Sequence, residues 1–267
     1  MNVKLDATFW DEAYRSRNAA WSGEPNDRIV NGVEGLQPGR ALDVGCGDGA
    51  DAIWLAERGW QVTATDISSI ALERGRANDR TGHIEWLQAD ILVWEPPPSI
   101  YDLVAAHFVH FASPEREMVF GRLAAAVRPH GVLLVVAHHP SDLQTTAGRW
   151  PMPDFYYTAD DIAALLEPGD WEVVVAASCA RSAVDPNGRT ITVAVNRPTG
   201  SRTRSAVPAG SCRRMPACHC GYRSRSCALI SSENIVAGLH RADHRATGDL
   251  LPSTLLTNAS FLPATTA

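Results

Sequence analysis

The chain has 267 residues, 45% of them hydrophobic and 20% charged, enough for one ample domain or two small ones with a filled core. Its net charge of −6 is uneven: residues 198–267 hold eight Arg against Glu233, Asp243 and Asp249, about +5, leaving about −11 on residues 1–197, which argues against a nucleic-acid groove in the main body because phosphate binding needs clustered positive charge. The opening MNVKLDATFW lacks a signal-type apolar core, no run approaches the roughly 18 apolar residues of a membrane span, and only Cys46 and Cys179 fall in the main body, so a cytosolic, reduced, membrane-free protein is expected.

Residues 1–39 read as a helical cap. From Arg40 short β-rich runs alternate with helical segments: strand 40–45, helix 50–58, strand 61–66, helix 68–79, strand 83–90 and strand 101–108. Ser113 is placed to cap a helix with Pro114 at its first position, and Val119, Leu123, Ala126 and Val127 follow at helical spacing. The run 131–139 is apolar almost throughout, as expected for a central strand covered on both faces. Thr158 and Asp161 form a capping-box pair before Ile162, Leu165 and Leu166. Strands 171–178 and 190–196 are joined by little more than the turn DPNG, so they are expected to be antiparallel neighbours. The whole predicts an α/β fold over residues 40–197, a doubly wound, mostly parallel, seven-stranded Rossmann-like sheet with an antiparallel last strand. Residues 198–267, rich in Ser, Arg, Pro, Thr and Cys, supply no strand the sheet still needs, and read as a disordered or loosely attached tail or a frameshift-type extension. Their cysteines lack the paired C-x2–4-C spacing of structural zinc sites, and no metal is expected.

The stretch ALDVGCGDGADAIWLAERGWQVTATD, residues 41–66, carries the chemistry. Glycines at 45, 47 and 49 allow positive φ and let backbone amides approach a ligand. Gly45 to Ala50 satisfies the dinucleotide fingerprint G-x-G-x-x-G/A, with Asp66 placed for a ribose hydroxyl. Asp43, however, stands two residues before the first glycine, where a carboxylate would repel a pyrophosphate. Asp90 ends the third strand, so three strands each deliver an acid to the carboxyl edge of the sheet. Three acids without a basic phosphate clamp suit a nucleoside that bears positive charge.

With LDVGCGDG, ATDIS, QADIL and YDLVAAHFVHF in place, residues 8–197 resemble the class I S-adenosylmethionine-dependent methyltransferases, and FWDEAYRSRNAAWSGEPN is similar to their small-molecule branch of thiopurine and tellurite-resistance enzymes. The resemblance implies S-adenosylmethionine as cofactor. Gly45 and Gly47 would lie against its methionine part with Asp43 near the amino group, and Asp66 would hold the ribose with Ile67 packed on adenine. Asp90 and the Ile91 amide would meet the adenine edge, and His107 would line the channel to the acceptor. A small molecule methylated at O, N or S is the expected partner. The fourth-strand AHFVHF replaces the Asn/Asp-Pro-Pro-Tyr/Phe of enzymes that methylate base amines. Oligomeric state is open.

Methyl transfer from a sulfonium needs chiefly alignment, and a base only where the acceptor carries a proton. Of His107, His110, His138 and His139, the expected catalytic pair is His107 and His139. Trp10, Tyr14, Trp21, Tyr156 and Tyr157 are the expected aromatic lid over the substrate, with helix-to-sheet packing as the competing role. The rival functions are a nicotinamide oxidoreductase and a cofactor-binding regulator without turnover.

Overall fold

A computed structural model describes residues 5–16 and 23–202; Trp21 and residues 203–267 of the expected tail lie outside them. The elements run α1 (Ala7–Arg15), α2 (Asp27–Gly32), β1 (Arg40–Val44), α3 (Ala50–Glu57), β2 (Gln61–Asp66), α4 (Ser69–Asn78), β3 (Ile84–Gln88), β4 (Tyr101–His107), α5 (Glu115–Ala126), β5 (Val127–His138), α6 (Ala159–Ala163), β6 (Trp171–Val184) and β7 (Thr190–Arg202). The strands form one seven-stranded sheet in the order β3-β2-β1-β4-β5-β7-β6. β1 to β5 are mutually parallel, and β7 runs antiparallel to both β5 and β6. No helix among the described residues is long and apolar enough to cross a membrane.

Alternation along each strand sends side chains to opposite faces. Ala41, Leu103 and Leu134 pack with Ile29 of α2 and Leu55 of α3 on one face. Leu42, Val104 and Val135 pack with Phe120 and Leu123 of α5 and Ile162 of α6 on the other. The central strands are buried on both sides, so their sequence is apolar without alternation, as parallel strands require.

Several boundaries depart from expectation: β5 begins at Val127, expected at helical spacing in α5, because Val127 pairs with Tyr101 of β4 ahead of a register shift. Ser113 does not cap α5: Pro114 takes the N-cap place without a side-chain bond, and the Ser113 hydroxyl donates instead to Glu117, 2.9 Å away. β6 and β7 overshoot residues 178 and 196 because they continue to pair with each other from Val184↔Thr190 to Trp171↔Arg202. The far end of β7 also closes the sheet through the Arg202 guanidinium, which donates to Ser99 Oγ, the Ala125 carbonyl and the Val127 carbonyl. The capping box of α6 forms as expected, with Thr158 and Asp161 each bonding the other's backbone.

Candidate active site

The carboxyl ends of β1, β2 and β4 meet at the glycine turn, which makes the strand-to-helix connection into α3. Gly45, Gly47 and Gly49 have φ of 68°, 58° and 84°, a region that L side chains avoid. Their surroundings differ. A Cβ on Gly45 would lie 2.6 Å from Val109 Cγ1, at the end of β4. A Cβ on Gly49 would fall within the ring of Trp86, which stands on β3, and one on Gly75 of α4 would meet the same ring. Gly49 therefore serves the fit of α3 over the sheet, and the resemblance places only Gly45 and Gly47 against the ligand.

The three acids lie at this edge in different states. Asp66, nearly buried, accepts from Gly47 N through Oδ2 at 2.9 Å and from Ser68 N through Oδ1 at 2.8 Å. Burial raises its pKa, and those same bonds hold the rise back. A carboxylate offers about four lone-pair sites, so Asp66 ties the glycine turn to β2 and still keeps accepting capacity. Asp43 is 2% exposed, and its Oδ2 is buried without a partner among the described residues. Burial, then the nearby Asp51 and Asp66 charges, push its pKa well above the usual carboxylate value. Asp90 sits half-buried at the turn after β3 with Oδ1 accepting from Leu92 N at 2.9 Å. Ile91 beside it is buried in the core, and Ile67 after β2 is half-buried.

His107 closes β4 next to this turn. Its Nδ1 lies 2.6 Å from Asp51 Oδ2, and the other Asp51 oxygen accepts from Asn26 N at 2.6 Å. Because the carboxylate is an acceptor, it places a hydrogen on Nδ1, and in the neutral ring Nε2 is then the acceptor. That Nε2 is buried and unpartnered among the described residues. Asp51 escaped the sequence reading because an acid in the first turn of a helix already has a sufficient local reason to be there.

Beyond His107, a row of rings crosses the same edge. Phe108 lies 4.6 Å from His138, His138 stacks on His110 at 5.4 Å, and His110 meets Trp150 at 5.5 Å. Trp150 in turn contacts Phe9 and Trp10 of α1 at 5.9 and 5.7 Å. Tyr156 flanks His110 and donates its hydroxyl to the Trp150 carbonyl. Burial, with Arg149 close by, lowers His110 to about 4; burial, Arg149, His110 and Arg181 lower His138 to about 2. His138 Nδ1 is 3.7 Å from Asp142, too long for a hydrogen bond, and the neutral ring forms no ion pair.

Of the expected catalytic pair, His139 is turned to another task. Its Nδ1 accepts from Ser141 N at 3.1 Å and lies 2.8 Å from Ser141 Oγ, capping the short 3-10 turn Pro140–Gln144. His138 and His110 are the histidines in the ring row. Of the expected lid residues, Trp10 and Tyr156 belong to the row. Tyr157 does not: it is 1% exposed, stacks edge-on against Phe120, and donates its hydroxyl to the Val109 carbonyl. Tyr14 is likewise buried, where α1 docks on α4 through the Tyr14 carbonyl and Arg74. Asp11, which sequence reading passed over, completes that docking by accepting from Ser68 Oγ and Ile70 N.

Residues 41–131 match the family model of a methyltransferase domain. An uncharacterized methyltransferase of Mycobacterium tuberculosis is 34% identical over 146 residues, 55% of this chain and 72% of that protein. Among solved structures, one determined for the conversion of a disulfide bond into a thioacetal group during echinomycin biosynthesis aligns with a TM-score of 0.60 and 23% identity, over 75% of this chain and 93% of the other. TehB from Haemophilus influenzae aligns with a TM-score of 0.55 and 19% identity, over 73% and 66%. At those identities the two structures speak for the fold.

Proposed function

Because the chain belongs to the class I S-adenosylmethionine-dependent methyltransferases, we propose that it transfers a methyl group to an O, N or S atom of a small molecule. The observation that carries the assignment of its site is a pair of buried polar atoms on adjacent strands, Asp43 Oδ2 and His107 Nε2, the latter an acceptor in the neutral ring, with no partner among the described residues. Two such acceptors at one strand edge are costly unless a donor arrives, and an ammonium group has three hydrogens to give. The amino end of S-adenosylmethionine fits them, while a pyrophosphate would meet the Asp43 carboxylate and be repelled, which weighs against a nicotinamide cofactor.

Asp66 uses its remaining lone pairs for the ribose hydroxyls, with Ile67 against the adenine ring. Asp90 and the Ile91 amide take the adenine edge, and Gly45 and Gly47 keep the turn open to the methionine part. When bound, the cofactor supplies a methyl group already activated on a sulfonium. His107 is held by Asp51 as an acceptor toward the cofactor, so its role is binding and orientation. The acceptor chamber is the ring row of Phe108, His138, His110, Trp150, Trp10 and Tyr156. Its histidines stay neutral at neutral pH and are weak bases, so the chamber aligns and dries the acceptor more than it removes a proton.

The test is calorimetric binding of S-adenosylhomocysteine to the wild type and to Asp90→Ala, followed by a radiolabelled methyl-transfer screen across phenols, thiols, amines and carboxylic acids. Asp90 is half-buried and its side chain bonds only the local turn, so the variant should keep its melting temperature within about 2 °C and lose about 1–2 kcal/mol of affinity. Equal affinity in the two proteins removes Asp90 from the site. Binding without turnover on any acceptor class would favour a cofactor-binding regulator.

A further inference from the structure

The β6–β7 hairpin borders the ring row through Arg181. β5 ends at His138, opposite Val195, but β6 and β7 continue pairing past that point as far as Val184↔Thr190. The overshoot carries Arg181, opposite Val193, beyond the end of β5. Its guanidinium lies 5.5 Å over the Phe108 ring, next to His138, and its Nε is buried without a partner among the described residues.

Among the described residues, the charges that act on Arg181 are those of Arg149, Asp142 and Arg28. Arg149 approaches from the loop after β5, and Arg28 of α2 adds a weaker repulsion on Arg181. The acid facing them is Asp142, which is fully buried and spent: Oδ1 accepts from Ala194 N at 2.9 Å, and Oδ2 takes both Nε and Nη2 of Arg149 at 3.1 and 3.0 Å. One carboxylate thus neutralises one of the two nearer guanidiniums. The other, Arg181, is half-buried over an aromatic face, and no carboxylate bonds it among the described residues. A desolvated guanidinium without an anion is costly, and its planar fork matches a carboxylate.

We propose that the chamber takes a small organic acid, its apolar body among Phe108, His138, His110 and Trp150 and its carboxylate on Arg181. The proposal rests on the methyltransferase reading and narrows the acceptor to anions. Arg181 is the specificity determinant. Arg149 keeps to Asp142 and adds to the field.

Benzoate and its uncharged isostere benzamide serve as probes, titrated into the full chain saturated with S-adenosylhomocysteine. The wild type should bind benzoate at least about 10-fold more tightly than benzamide, the factor expected for a hydrogen-bonded charged group. Arg181→Gln should abolish the preference and Arg181→Lys should retain part of it, with S-adenosylhomocysteine affinity within about twofold of wild type in both. That affinity also reports folding: if Arg181→Gln fails to bind S-adenosylhomocysteine, the comparison of Arg181→Lys with wild type decides. Equal binding of the two probes, no benzoate binding, or a preference that survives in Arg181→Gln or is undiminished in Arg181→Lys overturns the proposal. Failure of the wild type to bind S-adenosylhomocysteine would overturn the methyltransferase assignment of the site instead.

Discussion

The clamp of Trp86 between two glycines permits a quantitative test of how the glycine turn is held. Gly49 has φ of 84°, and alanine there suffers about 1–2 kcal/mol of backbone strain. Its methyl would occupy space held by Cη2 and Cζ3 of Trp86. The ring cannot swing aside easily, because the same two atoms abut Gly75 on α4 and the indole nitrogen is bonded to Asp79 at 3.3 Å. Overpacking of this kind costs about 1–3 kcal/mol, while the stiffer unfolded chain returns about 0.4–1 kcal/mol. Gly49→Ala should therefore destabilise the domain by about 2–4 kcal/mol, a large part of a typical stability. Trp86→Val removes the ring atoms and keeps a residue suited to β3. In that background Gly49→Ala should cost only about 1 kcal/mol, a coupling of about 1–3 kcal/mol. Urea denaturation of the four proteins, followed by circular dichroism, measures the cycle. An equal cost of Gly49→Ala in both backgrounds would refute the clamp and return Gly49 to a role at the ligand.

Asp43→Asn should raise the melting temperature of the cofactor-free protein by a few degrees at pH 7, because the folded carboxyl has a pKa well above its ordinary 3.8. A raised folded value means stability present below pH 3.8 and lost as pH rises through it, so the difference from wild type should vanish near pH 4; the variant should also bind S-adenosylhomocysteine at least about 10-fold more weakly, having lost a charge-assisted bond, and undiminished binding would take Asp43 out of the site. His110 and His138 have folded values near 4 and 2 against an ordinary 6.5. Their contribution is thus present above pH 6.5 and lost as pH falls toward 4 and below. A His110→Gln, His138→Gln double variant should show a flatter decline of stability from pH 6.5 to 4, and superposable urea midpoints across that range would contradict the burial of the two rings.

What was legible in the sequence was whatever depended on where strands end. Asp43 is the penultimate residue of β1, Asp66 ends β2 and Asp90 follows β3, and strand ends are marked by the change from apolar runs to glycine and polar residues. Which histidine faces the chamber depends instead on parity. A strand buried on both faces carries no alternation from which to read it, and His138 and His139 differ by one residue, hence by one face. Pro140 decides the outcome, since it opens a 3-10 turn whose cap is His139. Arg181 was hidden for a different reason: CARSAV, residues 179–184, holds one β-branched residue, Val184, and no aromatic, and it is extended because β7 supplies a partner all the way to the turn.

The proposed acceptor site therefore depends on a mismatch in strand length. Because β6 and β7 outrun β5, their tip stands over the carboxyl edge, held by Ala194 N on Asp142 and by Thr146 on Asp185 at 3.0 Å. Arg181 is carried on paired backbone rather than on a free loop, and a rigid element positions a charge more narrowly than a loop does. An anion bound there approaches the cofactor edge from one fixed side. On the proposed reading, shortening the hairpin would remove the charge that distinguishes anionic acceptors from neutral ones.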